Sequence, residues 1–101
     1  MITKANLNKL VKSAEKDPEL ADTIMDCVLV DLIGESMRKK LFQKRSEGRC
    51  GWWNKSACSI DDLKRMLADH IQKGDMVDVM NFAAMIYLRE YMDSDNPQEG
   101  V

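Results

Sequence analysis

Between Met76 and Leu88 only Asp78 and Asn81 interrupt an otherwise apolar run, set within the longer stretch from Asp75 to Met92. A helix that is apolar nearly all round belongs in a core. The run is 13 residues long, short of the roughly 20 needed to cross a bilayer. The pattern therefore predicts the central buried helix of a small soluble domain.

Three further helices are legible upstream. Leu7, Leu10, Val11 and Ala14 share one face between Thr3 and Lys16, with Thr3 placed to cap the first turn. Asp17-Pro18-Glu19 restarts the chain with a capping acid, a proline at the first helical position and an acid in the first turn. That second helix extends to about Ser46, carrying Leu20, Ile24, Val28 and Leu32 on one stripe. Met25, Leu29, Ile33, Met37 and Leu41 form a neighbouring stripe. Gly34 sits mid-helix, where it implies either a kink or the close approach of another backbone. Ser59-x-x-Asp62 reads as a capping box for a third helix with Ile60, Leu63, Met66, Leu67 and Ile71 on its apolar face. Lys73-Gly74 ends it, and Asp75 opens the apolar helix at once, so these two helices form a tight hairpin. No segment alternates with period two, and the fold class is all-α, a small bundle of about four helices.

The length of 101 residues fits one folding unit, a helical domain over residues 1–92. The polar, breaker-rich run 93–101 reads as a disordered tail. The eight methionines suit a core or partner surface of flexible side chains, and with the apolar excess they favour a homodimer. Three cysteines, with no leader or transmembrane segment in evidence, point to a reducing cytoplasm. Cys27, Cys50 and Cys58 make no Cys-x2-Cys pair, and His70 is the only histidine, so no metal site and no cofactor is expected.

Charge adds the most distinctive feature. Arg38, Lys39, Lys40, Lys44, Arg45, Arg49 and Lys55 face Glu47 alone, a local net of +6 that leaves −8 elsewhere in a chain of formal charge −2. Such a block attracts phosphates or an acidic protein surface. It is followed by Gly48-Arg49-Cys50-Gly51-Trp52-Trp53, where Arg49 offers a planar fork and Trp52 or Trp53 a stacking face. The candidate partner- or ligand-binding residues are therefore Arg38, Lys39, Lys40, Lys44, Arg45, Arg49, Trp52, Trp53 and Lys55. A structural alternative pairs Arg49 with Asp78, because a carboxylate on a buried helix needs a counter-charge.

Catalytic signatures are weak. The acids Asp22/Asp26, Asp31/Glu35 and Asp75/Asp78 recur at helical spacing, and facing pairs of them would hold Mg²⁺ as in all-α nucleotide pyrophosphohydrolases. The Glu-Glu-x-x-Glu motif of those enzymes is missing. His70 lies near a helix end, where a histidine packs or caps, and neither a nucleophile elbow nor a phosphate-binding loop is present.

Gly48-Arg-Cys-Gly-Trp52, Cys58-Ser-Ile-Asp-Asp-Leu63, His70-Ile-Gln-Lys-Gly-Asp75 and Val77-Asp-Val-Met-Asn-Phe-Ala-Ala-Met85 together resemble a small domain of bacteriophage early-region accessory proteins. The resemblance covers residues 47–90. It departs at Trp53-Asn54-Lys55, where that family carries acids after its single Trp. It implies a phage origin without an established activity, and a protein that counters a host function. The expected function is accordingly that of a non-enzymatic inhibitor of a host factor, one acting in antiviral defence being an example, docking through the basic Trp loop. A nucleotide sponge using Arg49 and Trp52 is the alternative, and an Mg²⁺-dependent pyrophosphohydrolase the second alternative.

Overall fold

Asp17 accepts a hydrogen bond from the Leu20 amide and its own carbonyl accepts from Ala21, so the Asp-Pro restart seen in the sequence is built as a helix start. The computed structural model describes residues 3–94, apart from the side chain of Ala14. It contains four helices and, among the described residues, no strand. These are α1 (Lys4–Ala14), α2 (Pro18–Ser46), α3 (Ile60–Lys73) and α4 (Met76–Asp93). The expected tail lies outside the described residues from 95 onward. None of the four helices is long and apolar enough to cross a membrane.

The chain divides into two compact units, one ending at Ser36 and one beginning at Met37, although α2 runs unbroken across the division. In the first, Thr3 caps α1 and accepts from the Asn6 amide. A shallow apolar groove there is lined by Leu10, Ala21 and Ile24 among others. Leu20, Ile24, Leu29 and Val30 are exposed, and α2 buries no residue fully. Gly34 has no atom within 4 Å of the place its Cβ would occupy, so close approach of another backbone is not the reason for it.

In the second unit α3 and α4 pack as the expected hairpin. Ser59 and Asp62 complete the capping box reciprocally at 3.0 and 3.1 Å. Gly74 closes α3 at φ 75°, a left-handed conformation that residues with a Cβ adopt at a cost. Leu63 is completely buried and packs the hairpin together with Ile86.

Helix α4 carries most of the buried positions among the described residues: Asp78, Asn81, Ile86 and Arg89. It is central to this unit as the hydropathy predicts, but its burial is one-sided. Met76, Ala83, Ala84, Tyr87, Leu88, Tyr91 and Met92 are exposed at successive helical spacings. One helix, α3, covers one stripe of a cylinder, and an all-round apolar sequence leaves the opposite stripe to solvent.

Candidate functional site

The basic segment divides by helical phase. Residues 38, 39, 42 and 45 fall on one side of the last turns of α2, and 37, 40, 41 and 44 on the other. Arg38, Lys39, Phe42 and Arg45 are exposed, with Phe42 64% accessible and the Arg45 guanidinium 5.6 Å from its ring centroid. Met37, Lys40, Leu41 and Lys44 are half-buried. The loop that follows turns at Gly48 and Gly51, both at φ 88°, and the Arg49 amide donates to the Lys44 carbonyl at 2.9 Å. Arg49, Trp53 and Lys55 project to solvent, whereas Trp52 is half-buried. The structure thus leaves Arg38, Lys39, Arg45, Arg49, Trp53 and Lys55 available to a partner and turns Lys40 and Lys44 inward.

Lys40 turns inward toward acids. Its Nζ lies 3.9 Å from Asp75 and 3.7 Å from Asp78, and His70 Nε2 approaches the same Asp78 oxygen at 3.6 Å. The expected Arg49–Asp78 pair is replaced by this cluster. The tight turn at Gly74 sets the last turn of α3 beside the first turn of α4, and Lys40 reaches in from α2, while Arg49 is already past the helix end on an exposed loop. The Asp78 side chain is only 5% accessible. Burial, and then hydrogen bonding with Asp75, push its carboxyl above the usual range. Asp75 is held below it, mainly by the hydrogen bond from Asp78, with Lys40 beside it. Although Asp75 occupies the N-cap position of α4, it makes no side-chain capping bond.

His70 does more than end a helix. Its Nδ1 sits 2.8 Å from the Met66 carbonyl, and its ring lies 4.9 Å from that of Phe82. A carbonyl only accepts, so Nδ1 carries the hydrogen, and Nε2 is the ring nitrogen that faces Asp78. One ligand atom from each of His70, Asp75 and Asp78 lies within 4.8 Å of the others. These are the side chains that could hold a metal. Asp22 and Asp26, the acids expected to join such a set, are exposed on the first half of α2.

Arg89 is the residue that sequence reasoning missed. It is 1% accessible, and its Nη1 donates to the carbonyls of Trp52 and Cys58, both at 2.7 Å. Its Nη2 lies 3.6 Å from Asp93. The Trp loop is therefore anchored on α4 through its backbone. A lone arginine at Arg89, on the face that carries Asp78 and Asn81, was the available signal. Asn81 likewise ties α4 to α2 through the Met37 carbonyl at 3.4 Å.

Comparison with protein-family models, with curated proteins and with solved structures returned no match. The functional reading accordingly rests on the geometry of two features: an outward basic and aromatic face at the end of α2, and a partly enclosed His-Asp-Asp-Lys cluster behind it.

Proposed function

We propose that this chain is a phage-encoded, non-enzymatic interaction protein that binds and inhibits a host factor in the bacterial cytoplasm. It docks on an acidic surface of that factor through Arg38, Lys39, Phe42 and Arg45, extended by Arg49, Trp53 and Lys55. The supporting observation is Phe42, a large apolar ring held 64% exposed among three cations. Aromatic and arginine side chains together are enriched where protein interfaces concentrate their binding energy, and clustered cations speed encounter with an acidic partner. Inhibition follows from occlusion and requires no chemistry from this chain. The exposed stripe from Met76 to Met92 on α4 is the surface through which two copies associate.

The alternative, a nucleotide sponge, draws on the exposure of Arg49 and Trp53. Trp53 replaces Trp52 as the stacking ring, since Trp52 is half-buried and anchored at its carbonyl. Affinity capture from host lysate with the full chain, run beside an R38E/K39E/R45E variant of unchanged helicity, tests the leading reading. One specific partner retained by the parent and lost by the variant is expected. Equal capture by both refutes the surface assignment, and calorimetry with linear and cyclic nucleotides decides the alternative.

A further inference from the structure

We propose that His70, Asp75 and Asp78 form a binding site for a divalent transition-metal ion of the Zn²⁺ class, with Lys40 as the cation that occupies the position in the metal's absence. The donor set is one imidazole nitrogen and two carboxylate oxygens, which suits zinc and its neighbours. The three donors come from the two ends of a rigid hairpin turn, at Gly74, so their separation does not depend on a flexible loop.

The orientation of His70 supplies the independent observation. Its Nδ1–H is committed to the Met66 carbonyl at 2.8 Å. That contact is the one metal-ligating histidines make to fix their tautomer. The other ring nitrogen, Nε2, then faces an Asp78 oxygen 3.6 Å away. An imidazole nitrogen and a carboxylate oxygen on a side chain only 5% accessible are thereby set side by side, both of them donor types that zinc takes. Ligands bound at about 2.1 Å in a tetrahedron lie roughly 3.4 Å apart. The His70–Asp78 separation of 3.6 Å already meets that spacing. The whole triad, within 4.8 Å, needs to contract by little more than about one ångström.

Lys40 fits the role of a displaceable counter-ion. Its Nζ stands 3.7 and 3.9 Å from the two carboxylates, beyond hydrogen-bond distance, and its side chain is 27% accessible. A long, flexible stem lets the ammonium swing to solvent when a stronger cation arrives. Three protein ligands would leave a fourth position to water. The site stands independently of the partner-binding reading, since Arg38, Lys39 and Arg45 lie on the opposite side of α2.

His70 is the only histidine in the chain, so its ring resonances report on the site without assignment ambiguity. Zn²⁺ is titrated into the reduced full-length chain and followed by long-range ¹H–¹⁵N spectra of that ring, with Mg²⁺ as a control. The expected result is an Nδ1–H tautomer before zinc, a saturable shift of Nε2 with zinc and none with magnesium. By calorimetry D75N and D78N each weaken zinc by at least about tenfold, as loss of a ligand or its support does. K40M, which removes the competing cation, tightens binding. Circular dichroism confirms folding of each variant, and the half-buried position of Asp75, less enclosed than Asp78, keeps D75N informative if D78N unfolds. Zinc binding that leaves the His70 ring unmoved, as capture by the cysteine thiols would, overturns the proposal. So does an absence of saturable binding, or a K40M variant that binds zinc no better than the parent.

Discussion

The guanidinium of Arg89 and the backbone carbonyl of Trp52, 37 positions apart in sequence, meet at 2.7 Å, and the same nitrogen serves Cys58. One side chain thus fastens the middle and the far end of the Trp loop to α4. A charge-assisted hydrogen bond of this kind contributes about 1.5–3 kcal/mol. Arg89→Met is expected to lower stability by several kcal/mol on that scale. Acrylamide quenching of tryptophan fluorescence should rise in the variant as Trp52 is released, and unchanged quenching would contradict the anchoring role.

Leu63 is completely buried in a unit whose only other buried apolar side chain among the described residues is Ile86. A side chain with no exposure is enclosed on all sides by groups held in place by two helices, so they close the space left by truncation only in part. Leu63→Ala should cost about 2–5 kcal/mol in chemical denaturation, whereas Ile71→Ala, on the exposed side of α3, should fall within about 0.5 kcal/mol of the parent.

The capping box gives a pH dependence. Asp62 accepts the Ser59 amide, which with the Ser59 hydroxyl and Arg65 holds its carboxyl below the ordinary 3.8. A depressed carboxylate stabilises the folded state above the unfolded value and loses that contribution as pH falls from about 4 through the folded value. Acid unfolding of the parent should therefore be steeper below about pH 4 than that of Asp62→Asn. At neutral pH Ser59→Ala should cost about 1 kcal/mol.

Helical phase separates the basic residues into two behaviours. Charge reversal at Arg38, Lys39 or Arg45, all exposed, should leave the thermal midpoint nearly unchanged while weakening partner capture. Lys40→Glu should destabilise the fold, because it sets a third negative charge against Asp75 and Asp78. Equal melting of K39E and K40E would contradict this division.

Along α4, Tyr87, Leu88, Tyr91 and Met92 remain exposed on a continuous apolar stripe. Light scattering is expected to report a dimer for the full chain and a monomer for a Tyr87→Lys/Tyr91→Lys variant. A monomeric parent across the accessible concentration range would remove this surface from consideration.

The sequence by itself determined the four helices, their boundaries and their caps, save at the start of α4, where Asp75 makes no side-chain capping bond. Those features depend on residues within four positions of one another: Thr3 with Asn6, Asp17 with Leu20, Ser59 with Asp62, and Gly74 after Lys73. It also marked α4 as the helix that carries the buried positions. Tertiary structure decided which partner each buried charge took. Asp78 needed a cation, and the sequence pointed to Arg49, whereas Lys40 and His70 are the groups that approach it, since the choice depends on where three helices meet. The same holds for Arg89, whose acceptors are backbone carbonyls that carry no residue-type signature. One-sided burial of α4 was likewise invisible in its composition, because an apolar stripe looks the same in sequence whether another helix covers it or water does.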